Sequence, residues 1–163
     1  AEGACELLLA SAPSEEAECR SGLKLYTSAA RARVLLRCGW EVCTTAGAIE
    51  AAIAGVEQAG AWEKAALVAL LHAGAHEAFH ELEAAVATLH RGSAACAAAQ
   101  QPERAAELRM MAMVVAGYQP GARLWSAAVQ STAQGLASPH LRLLLTVLGS
   151  AHAAATAAAA AAA

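Results

Sequence analysis

Gly60-Ala61-Trp62-Glu63-Lys64-Ala65-Ala66-Leu67-Val68-Ala69-Leu70-Leu71 is the stretch that decides the fold class. Gly60 stands at the position where a glycine ends a preceding helix. Trp62–Leu71 then reads as a new helix with Leu67, Leu70 and Leu71 along its apolar edge. Forty residues later Pro102 and Glu103 open a comparable segment. Proline suits a helical first turn, and Leu108, Met111 or Met113, and Val115 carry that helix to Gly117. Paired antiparallel helices at about 40 residues per unit are the arrangement of α-solenoids. The expected fold is therefore all-α, an α-solenoid of antiparallel helix pairs. A compact helical bundle is the alternative on pattern alone.

The same punctuation extends outward in both directions. Leu7 to Ala10 is a weak first segment, broken at Ala12, Pro13 and Ser14. Ser14 with Glu15 and Glu16 resembles an N-cap with an acidic first turn, and Ser21-Gly22 stops that helix. Leu23 to Trp40 is expected as a long helix with Leu25, Ala29, Ala32, Leu36 and Trp40 on its inner stripe. Thr44 or Thr45 caps the next helix, in which Ile49, Ile53 and Val56 face inward. His76 to His90 follows Gly74, with Phe79, Leu82, Val86 and Leu89 as its stripe and Gly92 as its terminator. Ser93 to Gln101 reads as a short helix or a loop, and Tyr118-Gln119-Pro120-Gly121 as a turn. Leu124 to Leu136 and a last helix from Ser138-Pro139 through Leu148 complete about eight helices. Residues 1–150 thus form one solenoid segment and residues 151–163 an Ala-rich tail.

Composition supports this reading. The 163 residues include 49 Ala and 20 Leu against 2 Ile, which favours helix over sheet. Apolar residues make up 58%, too many for a disordered chain. A net charge of −3 gives no footprint for nucleic acid. Lys24, Arg31, Arg33 and Arg37 form a small basic stretch that reads as a solvated helix face. The glutamates are likewise expected on solvent faces. Cys5, Cys19, Cys38, Cys43 and Cys96 are odd in number and match no zinc spacing, so free and mostly buried thiols are expected. The chain opens on Ala1, which suggests a fragment. Leu143 to Ala163 is 21 uncharged residues, the length of a bilayer span. Its alanines supply little hydrophobic drive, so no transmembrane span is expected.

One motif competes with the scaffold reading. His76-Glu77-Ala78-Phe79-His80 is a literal HExxH, and His72 extends it at the same spacing. On one helix such imidazoles would hold zinc and the glutamate would activate its water, which gives a zinc-dependent hydrolase as the alternative function. The context opposes it. Glu83 stands where the extended motif needs Gly, and only the unremarkable Glu103 or Glu107 could complete a ligand set. Adventitious metal binding by His72, His76 and His80 is a lesser variant of the same idea. No other enzyme signature is present. No catalytic, cofactor-binding or metal residue is therefore assigned. Trp40, Trp62 and Trp125 lie near helix ends, where large rings fill the gaps between rods.

Four segments carry a resemblance. Arg31-Ala32-Arg33-Val34-Leu35-Leu36-Arg37-Cys38-Gly39-Trp40 is similar to the L-x-L-C-G-W helix end of the Mio (missing-oocyte) WD-repeat family. Gly60 to Leu70 is similar to its G-x-W-E-R-A-A-x-x-A-L segment. Met111 to Tyr118, followed by Leu124-Trp125, resembles V-A-M-A-L-S-G-Y with its L-W. Ser138-Pro139-His140-Leu141 stands where the family has an N-P-Y-L helix. Order and spacing agree from about Ala29 to Ser150, whereas Ala94 to Gln101 and the residues before Tyr26 do not match well. The resemblance implies a non-catalytic α-solenoid segment that follows a propeller in a SEA/GATOR subunit. It further implies protein partners of propeller and propeller–solenoid type. The expected place is the cytoplasmic side of the lysosomal or vacuolar membrane, in amino-acid signalling to the TOR kinase. These residues contain neither the propeller nor the family's C-terminal zinc module, so the functions of those parts are not carried over.

Overall fold

A computed structural model describes residues 28–72, 80–118, 125, 129, 131, 132 and 135–161. Every regular element among them is an α-helix: α1 (Ser28–Arg37), α2 (Ala46–Gln58), α3 (Trp62–Leu71), α4 (Glu81–Ala98), α5 (Pro102–Ala116) and α6 (Pro139–Ala161). The expected segments before residue 28 lie outside the described residues. So does most of the expected helix over Leu124–Leu136, of which Trp125, Val129, Ser131, Thr132 and Gly135 are helical.

Local chemistry sets most of the helix ends. Thr45 caps α2, its Oγ1 accepting the Ala48 amide at 3.3 Å. Pro102 occupies the first turn of α5. The Ser138 hydroxyl accepts the Leu141 amide at 3.4 Å at the start of α6. Three C-termini share one cap, in which a residue of positive φ turns the chain and two amides bond back onto the last turn. Gly39 (φ 68°) ends α1, with Gly39 N bonded to Leu36 O and Trp40 N to Leu35 O. Gly60 (φ 71°) ends α2 through bonds to Glu57 and Val56. Gln100 (φ 58°) ends α4 through bonds to Ala97 and Cys96.

Several expectations are corrected. α1 stops at Arg37, so Trp40 lies beyond its cap and does not phase the helix. Leu35 is consequently the buried residue, at 1% exposure, and Leu36 is 48% exposed. Gly92 does not terminate a helix, because α4 runs unbroken from Glu81 to Ala98 and includes most of the segment read as a short helix or loop. A Cβ at Gly92 would lie 2.5 Å from Trp62 Cγ and 2.6 Å from Trp62 Cβ. The missing side chain is therefore what lets the Trp62 end of α3 sit on α4. Of the two methionine alternatives on α5, Met111 faces the core and Met113 is exposed. Glu63 and Glu81 are buried rather than solvated. α6 continues past Leu148 through the Ala-rich residues to Ala161.

α3 is the centre of the packing. It touches α1, α2, α4 and α6, and apart from Lys64 every residue from Glu63 to Leu71 is buried. A helix with four neighbours has no solvent face, which is why its sequence is apolar all round rather than striped. Leu67, Leu70 and Leu71 meet a core that α6 extends through Leu141, Leu144, Leu145 and Leu148. Small residues line the buried face of α4, including Ala85, Gly92, Ser93 and Cys96, and allow its neighbours to approach closely.

Successive pairs stack in register. Glu57 near the end of α2 meets Thr88 and Arg91 of α4, 31 and 34 residues later. Glu63 in the first turn of α3 meets Arg104 in the first turn of α5, 41 residues later. These offsets bracket the period of about 40 residues. They tie α2 to α4 and α3 to α5, the two layers of the stack. This is solenoid stacking, with α6 returning onto α3.

Candidate functional site: the junction between helix pairs

The polar chemistry of the described residues is concentrated where pairs meet. Glu63 is 8% exposed. Its carboxylate accepts both prongs of the Arg104 fork, Nε and Nη2, each at 3.0 Å. Arg104 Nη2 also donates to Gly60 O at 3.1 Å. The Glu63 hydrogen bond holds the Arg104 guanidinium above its ordinary pKa. Beside this clamp, Ser93 Oγ donates to Ala105 O at 2.8 Å. Lys64 Nζ lies 5.0 Å from the centroid of the Trp40 ring, which also stacks with His140 of α6 at 6.3 Å. Consecutive residues of the Gly60–Lys64 stretch thus reach different neighbours. Gly60 and Glu63 hold α5, Trp62 seats on α4, and Lys64 meets the turn after α1.

A second tie joins α2 to α4. Glu57 accepts from Arg91 Nη2 at 2.6 Å, from Arg91 Nε at 3.2 Å and from Thr88 Oγ1 at 2.7 Å. Next to it the two helices stand apart over a cavity of about 370 Å³. Ile53, Ala54, Ala84 and Ala87 form apolar walls, and Glu50, Glu57, His80, Glu83 and Arg91 supply charge and polarity.

His72 and His80 stand at the ends of two different helices. His72 is the C-cap of α3 and is 2% exposed. Its Nε2 accepts the Cys43 amide at 3.1 Å, so Nδ1 carries the proton and donates to Val68 O at 2.8 Å. Both ring nitrogens therefore pin the turn after α1 to the end of α3. His80 is the exposed N-cap of α4, with non-helical φ −103° and ψ 89°. His76 and Glu77 lie outside the described residues. Glu103 is exposed in the first turn of α5, and Glu107 Oε1 accepts the Ala137 amide at 3.1 Å. Among the described residues no three His, Cys, Asp or Glu side chains are grouped to hold a metal ion.

The tryptophans divide by environment. Trp125 is buried, donates from Nε1 to Val114 O at 3.0 Å, and packs edge-on to Tyr118 at 4.8 Å. Burial pushes the Tyr118 phenol up to about 12. Trp62 and Trp40 are partly buried against the core. Cys43 and Cys96 are free and buried, and Cys38 is free and exposed. Burial and the charge of Glu41 push the Cys43 thiol up. Among the described residues no helix is long and apolar enough to cross a membrane. Sequence reasoning missed the Glu63–Arg104 clamp and the α2–α4 cavity. The recurrence of a charge in the first turn of each second helix was the available signal for the clamp.

A scan against protein families matches residues 8–156 to the family described as "MIOS, alpha-solenoid". The chain belongs to this family. The match covers the Gly60–Lys64 junction and all six helices but the last residues of α6. As a MIOS α-solenoid the chain is a scaffold-type segment, and the clamps just described are the internal joints of that scaffold. Searches of curated proteins and of solved structures return no match.

Proposed function

We propose that the chain is a non-catalytic scaffold segment of a Mio-like WD-repeat protein in the SEA/GATOR assembly. In this reading it mediates contacts with the propeller and propeller–solenoid subunits of that assembly. Through them it contributes to relaying amino-acid sufficiency to the TOR kinase at the lysosomal or vacuolar surface. The observation that carries the reading is the family match over residues 8–156. The geometry supports it, because Glu63, Arg104, Glu57, Arg91 and His72 are spent on joining helices to one another. A stack of joined helix pairs is useful as surface, offering an extended face to partners. The test is affinity purification of the tagged full chain from cells. Propeller-containing subunits of the assembly are expected in the eluate in stoichiometric amount. Recovery of the chain as a monomer without any of them overturns the proposal.

A further inference from the structure

Two exposed carboxylates, Glu50 of α2 and Glu83 of α4, line the cavity between these helices. Glu57 lines it too, but Arg91 and Thr88 already hold that carboxylate. Glu50 and Glu83 have no ion-pair or hydrogen-bond partner among the described residues. The groove therefore combines apolar walls at Ile53, Ala54, Ala84 and Ala87 with two carboxylates that no cation among the described residues pairs. Its volume of about 370 Å³ is that of a pocket that takes whole side chains.

The complementary surface is on the same chain. Leu36, 48% exposed, and Val42, 39% exposed, are two of its exposed large apolar side chains. Between them in sequence lies Arg37, an exposed cation in the last turn of α1 with no ion pair among the described residues. We propose that the α2–α4 groove is the docking site for the α1 end of a second copy of this chain. Leu36 of the incoming copy meets the apolar walls, and its Arg37 stands between Glu50 and Glu83, as Arg91 stands on Glu57. The two surfaces are different patches, so the contact is heterologous and adds copies head to tail. It rests on charge and apolar complementarity and is independent of the SEA/GATOR reading.

Sedimentation velocity on the full chain tests the proposal. The weight-average sedimentation coefficient is expected to rise between about 1 and 100 μM and to fall again in roughly 0.5 M salt, where charges a few ångströms apart are screened. Two variants, Glu50→Arg/Glu83→Arg and Arg37→Glu, change only exposed positions. Each is expected to melt with the parent chain and to lose self-association at least about tenfold. Glu50→Gln/Glu83→Gln is expected to weaken it partway. The decisive sample mixes the two charge-reversed variants. Each variant repels its own kind, but the reversed groove of one suits the reversed α1 end of the other and the native groove suits the native Arg37, so the mixture is expected to recover head-to-tail association with the two variants alternating. A parent chain that stays monomeric overturns the proposal and leaves the groove to a foreign basic segment. Unchanged association of either charge-reversed variant, or a mixture that does not pair, also overturns it.

Discussion

The two layers of the stack use the same ion-pair chemistry in different packing. Between α3 and α5 the Glu63 and Arg104 side chains are 10% and 39% exposed, and the neighbouring Trp62 ring seats on Gly92 of α4. Between α2 and α4 the Glu57 and Arg91 side chains are 14% and 53% exposed, and a cavity opens alongside the pair. A partly buried indole packs next to the first joint. The second joint carries the more exposed arginine, and solvent leaves its ion pair the weaker of the two. An aromatic ring packs next to one joint, and a cavity is left beside the other.

Substitutions can break or sharpen this contrast. Trp62→Ala removes the ring that packs next to the inner joint, and a loss of about 3 kcal/mol in chemical denaturation is expected. A shift in melting midpoint of only a degree or two would show that the ring carries no packing. Gly92→Ala attacks the same contact from α4. Alanine is the better helix former by about 1 kcal/mol, yet its Cβ meets the root of the Trp62 side chain, which cannot swing aside. A net loss of about 2 kcal/mol is expected, and any gain in stability refutes the notch. Glu63→Gln leaves the Arg104 fork facing a neutral amide and is expected to cost about 1–3 kcal/mol. A double-mutant cycle with Arg104→Met measures how much of that loss belongs to the pair. Arg91→Met, the outer counterpart, is expected to cost no more than about 1 kcal/mol. If it equals Glu63→Gln, the two layers are alike after all. The smallest effect falls at the turns that connect each pair. Gly60 closes the first and Gln100 the second at nearly the same positive φ. Gln100→Gly relieves the left-handed strain and is expected to raise the melting midpoint, by up to about 1 kcal/mol of stability.

Much of the fold is legible along the chain because its signals are local. Thr45, Gly60 and Pro102 act on amides and dihedral angles within one turn, and each marks a real helix end. The repeat of about 40 residues is visible because each pair must bring back the same kind of buried second helix. Elsewhere the deciding partner lies far away. Gly92 looks like Gly60 in sequence, but one is glycine for its dihedral angle and the other for its missing Cβ, and only Trp62, 30 residues earlier, separates the two cases. Gln100 carries no residue signature for a left-handed cap, so the end of α4 is not marked. Leu35 and Leu36 both fit a helical period, and their assignment turns on a cap three residues beyond. Glu63 is a solvated charge in any local reading until Arg104 is placed against it. The α2–α4 groove has no sequence trace at all, since it exists only between two helices whose spacing others set.

The seat of Trp62 on Gly92 also couples two distant positions into one volume. Neither can drift alone: a bulkier residue on α4 requires a smaller one at the head of α3, and the reverse. A chain carrying alanine at 62 and a branched side chain at 92 would restore contact with the roles of knob and hollow exchanged. Lineages of this solenoid that have lost the indole at the first site are therefore expected to have gained bulk at the second.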